Sequence, residues 1–132
     1  MYDEDYRSQE LPQDQSAPVS DLKGNKDDQG KVRYDLLPAD ALDQVARVLT
    51  YGAKKYGERH WERGIEYSRF YRAAMGCLLA WWRGEELVEE SGLPHLAHAA
   101  CSILLLLALR TRARGSVNDP LDNRPQFEFP PR

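Results

Sequence analysis

Between Ile103 and Leu109 the chain reads ILLLLAL, and a helix over this run is apolar on every side. Such a helix sits either at the centre of a large core or between subunits. A chain of 132 residues is long enough for one domain with a real core. It is small enough, however, that the sequence points to a subunit interface. The apolar run from Ala99 to Leu109 is too short to cross a bilayer, so no membrane association is expected.

The residues ahead of this run carry the polar chemistry. From Arg83 to Ala99 the chain reads RGEELVEESGLPHLAHA, placing Glu85, Glu86, Glu89 and Glu90 before His95 and His98. Pro94 suits the first position of a helix. His95 and His98 would then share one face of its first turn, with Ser102 continuing the stripe. Carboxylate oxygens and imidazole nitrogens are the donors a divalent ion such as Mg²⁺, Mn²⁺ or Zn²⁺ accepts. Two readings follow: a metal or acid–base site, or a solvated acidic loop with histidines that cap a helix.

Charge and cysteine usage narrow the class. A net charge of −3 argues against a general nucleic-acid binder, and no direct nucleic-acid binding is expected. Cys77 and Cys101 both fall in apolar helical patterns, which favours buried free thiols over a disulfide. That fits a reducing, cytoplasmic setting. Residues 1–30 are polar, with hardly any bulky aliphatic side chains; they cannot bury enough surface to offset their entropy and read as a disordered leader without a signal peptide.

Order is expected from Lys31. The segment KVRYDLL alternates and stops at Pro38, as an extended arm feeding a helix would. Three main helices follow, at about 39–56, 69–83 and 94–112, making a small all-α bundle. In the first, Leu42, Val45, Leu49, Ala53 and Tyr56 repeat at helical spacing as the buried stripe. Asp40, Asp43, Arg47, Tyr51 and Lys54 fall opposite, and Gly57 stops the helix. The loop after it holds His60, Trp61, Arg63 and Gly64. Its tryptophan either plugs the core or stacks on a ligand.

Ser68 is the expected N-cap of the second helix, and Gly84 its stop. Phe70, Tyr71, Ala74, Cys77, Leu78, Trp81 and Trp82 form one broad face. Arg69, Arg72, Gly76, Ala80 and Arg83 form the other. That second face is either a solvated basic stripe or, with Gly76 and Ala80 leaving room, an approach for phosphates. Arg110, Arg112 and Arg114 suit the C-terminus of the third helix. The domain thus spans 31–114, and a proline-rich irregular tail spans 115–132.

Carboxylates and histidines beside cations and loop aromatics are what nucleotide hydrolysis uses. The segments KVRYDLLPADALDQVARVLTYGAKKYGERHWERG and RAAMGCLLAWWRGEELVEESGLPHLAHAACSILLLLAL resemble the phage dATP/dGTP diphosphohydrolase N-terminal domain family, related to the MazG-type all-α NTP pyrophosphatases. The resemblance covers about Lys31 to Leu109. It implies a helical, metal-dependent enzyme (Mg²⁺ or Mn²⁺) that splits a purine deoxynucleoside triphosphate, dGTP or dATP, into monophosphate and pyrophosphate. It also implies a phage protein working as a homo-oligomer in the host cytoplasm, with Ile103–Leu109 as the contact face. Matching residue by residue picks out Lys31, Arg33, Tyr51, Lys55, Tyr56, Trp61, Glu85, His95 and His98.

With Lys54 and Arg72 added from the basic surfaces, the substrate-binding set is Lys31, Arg33, Tyr51, Lys54, Lys55, Tyr56, Trp61 and Arg72. Glu85, Glu86 and His98 are the expected catalytic groups. Glu85, Glu86, Glu89, His95 and His98 are the expected metal ligands. The chain departs from the family pattern at two places. An Arg-His pair usually stands at Gly76-Cys77, and acidic residues stand at Glu86 and Val88. Two alternatives to catalysis therefore stay open: a homologue that binds or sequesters nucleotides, and a helical interaction protein.

Overall fold

The computed structural model describes residues 30–113 and 118–125. Nearly all of the expected leader, and parts of the expected tail, lie outside the described residues. The chain divides into two compact units, Met1–Tyr34 and Asp35–Arg132. In the second, helices α1 (Ala39–Tyr56), α2 (Tyr67–Trp82) and α3 (His95–Arg112) form a small all-α bundle.

The elements end where backbone chemistry dictates. Gly57, at φ 96°, closes α1, its N–H bonding the Ala53 carbonyl at 2.9 Å. Gly84, at φ 105°, follows α2 in a conformation that side-chain-bearing residues rarely adopt. Pro38 and Pro94 stand at the N-cap of α1 and α3, one position ahead of the helical residues. The expected extended arm turns instead: Tyr34–Leu36 form a single 3-10 turn. A lone strand leaves its backbone groups unpaired, and a turn satisfies some of them locally.

Helix α3 is the centre of the bundle, packing against both α1 and α2. One cluster joins Val48 of α1 to Ala97 and Cys101 of α3, flanked by Val45, Leu49, Leu93 and Leu105. The other joins Tyr67 and Phe70 of α2 to Leu109, flanked by Trp61, Ile65, Leu105, Leu106 and Leu121. The apolar run is therefore partly internal, with Leu105 bridging both clusters. Ile103, Leu104 and Leu107 remain exposed.

The buried stripes differ in detail from the expected ones. On α1 the deepest residue is Val48, while Leu42 and Tyr56 are exposed, because α1 is covered by α3 along a narrow line only. On α2 the inward line is Tyr67, Phe70 and Ala74, with Cys77, Leu78 and Trp81 half-buried. Tyr71 and Trp82, expected on the packed face, are 64% and 80% exposed.

Helix α2 begins at Tyr67 rather than after Ser68. Its first turn is capped from far away in sequence. The Tyr67 N–H donates to the Leu121 carbonyl at 2.9 Å, and the Ser68 N–H donates to Asn123 Oδ1 at 2.9 Å. The segment 118–125 thus straps the start of α2. It is held there by the Tyr67 hydroxyl donating to Asp119 and by Arg110 facing Asp119 and Asp122 at 4.0 and 3.8 Å.

Candidate functional site

An open cleft of about 1180 Å³ lies among the three helices of the second unit. One wall is the end of α1 with Tyr51, Lys55 and Tyr56, continued by the loop 57–65. Helix α2 contributes Arg69, Phe70, Ala73 and Cys77, and α3 contributes His95, His98, Cys101 and Ser102. Val88 and Glu90 close it from the loop between α2 and α3.

That loop is firmly built. Val88 N–H donates to the Leu93 carbonyl and Gly92 N–H to the Val88 carbonyl, each at 2.8 Å, while Leu87 and Pro94 form an antiparallel bridge. Gly92, at φ 70°, makes the turn. The result fixes Glu90 over the cleft, where its carboxylate accepts from Lys55 Nζ and interacts with the Tyr51 hydroxyl. The Lys55 bond, then the Tyr51 bond, hold the Glu90 carboxyl below the usual range. The same contact raises the Lys55 ammonium and the Tyr51 phenol above theirs.

The two histidines have separate partners. His98 Nε2 lies 2.7 Å from Ser91 Oγ, and its ring meets Tyr51 edge-on with centroids 6.4 Å apart. Burial, and then the neighbouring His95, lower the His98 pKa, favouring the uncharged ring. His95 is fixed by its backbone N–H donating to the Glu86 carbonyl at 2.8 Å. Its Nε2 faces Glu85 Oε2 at 3.3 Å, and its Nδ1 is buried without a hydrogen-bond partner among the described residues.

The expected ligand set is therefore divided. Glu85 sits beside His95, His98 and Glu90 face the cleft, and Glu86 and Glu89 are exposed and outside its lining. Among the described residues, no three His, Cys, Asp or Glu side chains converge closely enough to hold a metal ion. The side chains as arranged do not form a preassembled metal centre.

The expected substrate-binding residues also separate. Tyr51, Lys55, Tyr56 and Trp61 line the cleft. Tyr51 was expected on the outer side of α1; it lies half-buried beside His98 because α1 is rotated to bury Val48. Lys54 and Arg72 are exposed and do not line the cleft. On α2 the cleft-facing line is Arg69, Ala73 and Cys77, one step of four residues apart, rather than Arg72, Gly76 and Ala80. Lys31 and Arg33 belong to the unit Met1–Tyr34, where both are exposed.

Trp61 is a plug. It packs on the second core cluster, and the Arg112 guanidinium lies 4.9 Å from its ring centre, held by Glu62 at 3.3 Å. The ring pair on the α1 side is Tyr56 with His60, centroids 4.9 Å apart and planes tilted by 37°.

Sequence reasoning gave no role to His60 or Ser91, and placed Arg69 on the possible phosphate-facing side of α2 without setting it apart from Arg72. Four-residue spacing from Tyr56 would have flagged His60, and the same spacing from Cys77 through Ala73 would have flagged Arg69. Ser91 had no local signal, because its partner is reached only when the loop folds back.

With this geometry in place, comparison with known proteins places the chain. Residues 21–119 match the family described as dATP/dGTP diphosphohydrolase, N-terminal. The chain belongs to that family. It is also 34% identical over 88 residues to a protein of Salmonella phage PMBT28 named dATP/dGTP diphosphohydrolase. The match covers 67% of this chain and 30% of the relative, so the chain spans well under half of that protein's length. No solved structure matches. Among the described residues no helix is long and apolar enough to cross a membrane.

Proposed function

We propose that this domain binds a purine deoxynucleoside triphosphate, dGTP or dATP, in the cleft and hydrolyses it to the monophosphate and pyrophosphate. The observation that carries the reading is the meeting of Lys55 and Tyr51 from α1 with Glu90 and His98 across one cleft. Family membership and the relative's printed name support it. Lys55, Arg69 and Arg112 supply cations for the polyphosphate, and Tyr56 with His60 offers a ring surface for the base.

In the reaction, water oxygen bonds to the α-phosphorus. The bond to the bridging oxygen breaks, and pyrophosphate leaves with the electron pair. His98, whose pKa burial lowers, is proposed to take the proton from water. Glu85 holds the neighbouring His95, and Glu86 anchors that residue through its carbonyl. Because no ligand trio is preassembled, the divalent cation, Mg²⁺ or Mn²⁺, is proposed to arrive on the polyphosphate. The proposed protein contacts to it come from Glu85, Glu86 and His95.

One observation favours a second reading, binding without turnover. Cys77 and Val88, where the family pattern has histidine and an acidic residue, both line the cleft. Incubation with each dNTP and Mg²⁺ or Mn²⁺, with products resolved by chromatography, separates the two. Monophosphate and pyrophosphate establish hydrolysis; retained but intact nucleotide establishes sequestration; neither removes the nucleotide reading. We further propose that the protein acts in the cytoplasm of the infected host as a homo-oligomer, using exposed Ile103, Leu104 and Leu107. Sedimentation of wild type and Leu107→Glu checks the assembly, and a wild-type monomer at micromolar concentration would refute it.

A further inference from the structure

We propose that Glu90 is a built-in occupant of the cleft's anion site, displaced when a polyphosphate binds; the inference rests on the nucleotide reading of that cleft. Lys55 donates to the Glu90 carboxylate from one helix, and Tyr51, one turn earlier on the same helix, brings its hydroxyl to the same cleft. A carboxylate and a phosphate oxygen make the same demand on an ammonium and a hydroxyl. The pair of donors is therefore an oxyanion site, and the fold has filled it with its own carboxylate.

Two features make this occupant exchangeable rather than structural. The Lys55 and Glu90 side chains are 38% and 60% exposed, and ion pairs open to water contribute little to holding a fold together. The loop bearing Glu90 is meanwhile fixed by its own backbone bonds at Val88, Leu93 and Gly92. The loop does not need the Lys55 contact to keep its shape. Displacement then requires only rotation of one side chain into solvent.

The consequence is a toll on nucleotide affinity. A bound phosphate must take Lys55 from Glu90 and also tolerate a negative charge close by. Removing that charge without changing shape should expose the site. Lys55 would then be held in wait by a neutral amide.

The test is isothermal titration with inorganic pyrophosphate as the probe, on wild type, Glu90→Gln, Lys55→Ala and the double variant, with circular dichroism as the folding control. Glu90→Gln is expected to bind about fivefold tighter than wild type, the order by which an exposed ion pair shifts an equilibrium. Lys55→Ala should bind more weakly, and Glu90→Gln should bring no gain in the Lys55→Ala background, because the two act through one contact. Equal or weaker binding by Glu90→Gln overturns the displacement role and leaves the nucleotide reading standing, as does a gain that persists without Lys55. Tighter pyrophosphate binding with no product from any dNTP supports the displacement role and removes only hydrolysis. No pyrophosphate binding to any of the four proteins overturns both.

Discussion

Asn123 caps the start of α2 from 55 residues beyond Ser68: its Oδ1 accepts the Ser68 N–H at 2.9 Å while its Nδ2 donates to Ser68 Oγ and Glu66 Oε2, each at 2.7 Å. Together with the Leu121 carbonyl on the Tyr67 N–H, this satisfies donors that the first turn of α2 cannot satisfy itself. Glu66, at the N-cap, makes no side-chain cap bond. Asn123→Ala should therefore cost about 1 kcal/mol of stability, the usual scale of a lost cap. Ser68→Ala, which keeps the backbone N–H bonded to Asn123 Oδ1, should cost less. Urea denaturation of both variants checks the order.

A second prediction separates neighbours that a helical wheel puts together. Phe70 is 7% exposed and lies in the cluster with Tyr67 and Leu109, whereas Tyr71 is 64% exposed. Phe70→Ala should lose about 3–5 kcal/mol through lost burial and a cavity. Tyr71→Ala should stay within about half a kcal/mol. Equal losses in chemical denaturation would show that Tyr71 is covered in solution, by a second subunit.

That contrast marks how far the sequence could be read. Helix stops at Gly57 and Gly84 were legible because a glycine with positive φ is a local requirement. The all-α class was legible because the periodicity of each helix is also local. Which side of α1 and α2 turns inward was not, since the wheel fixes a stripe only to within the width of the partner. Val48 was missed and the exposed Trp82 misplaced for that reason. The cap by Asn123 was illegible because it depends on where the strap returns. In the site, the acidic loop and the two histidines were found from spacing. Their division into a Glu85–His95 pair, a Ser91–His98 pair and a Lys55–Glu90 pair depends on how that loop folds back.

Acid should loosen the strap. Arg124 bonds the Asp122 carboxylate and, with Arg110 nearby, lowers its pKa from 3.8 to about 2. A carboxyl with a folded value below its unfolded one contributes stability that is whole above the unfolded value. That contribution is lost as pH falls from 3.8 toward about 2. Asp122→Asn should thus melt below wild type at pH 7, with the gap closing through that window. A gap of constant size from pH 7 to pH 2 would mean that the pair contributes nothing to the fold.

The final prediction distinguishes residues in the cleft from those merely near it in sequence. Lys54 and Lys55 are adjacent, but only Lys55 lines the cleft and meets Glu90. Likewise His98 lines it, whereas Glu89 does not. Under the hydrolytic reading, His98→Ala should lower dGTP or dATP turnover about a hundredfold, the scale of a lost acid–base group. Glu85→Gln acts through His95, which it faces at 3.3 Å, and should cost about tenfold, as for a residue that orients another. Lys55→Ala should raise KM, while Lys54→Ala and Glu89→Gln leave both constants unchanged. The measurement is steady-state hydrolysis with the metal titrated separately for each variant and circular dichroism confirming the helices. Unchanged turnover in His98→Ala would move the proton-accepting role away from the cleft's histidine. If wild type binds nucleotide without turning it over, Gly76→Arg with Cys77→His becomes the decisive variant. Cys77 lines the cleft near neither a charge nor a polar partner that shifts it, burial alone raising its pKa. A side chain added at Gly76 meets no atom within 4 Å. The pair should therefore fold, and a gain of hydrolysis would show that the cleft had lacked that Arg-His pair.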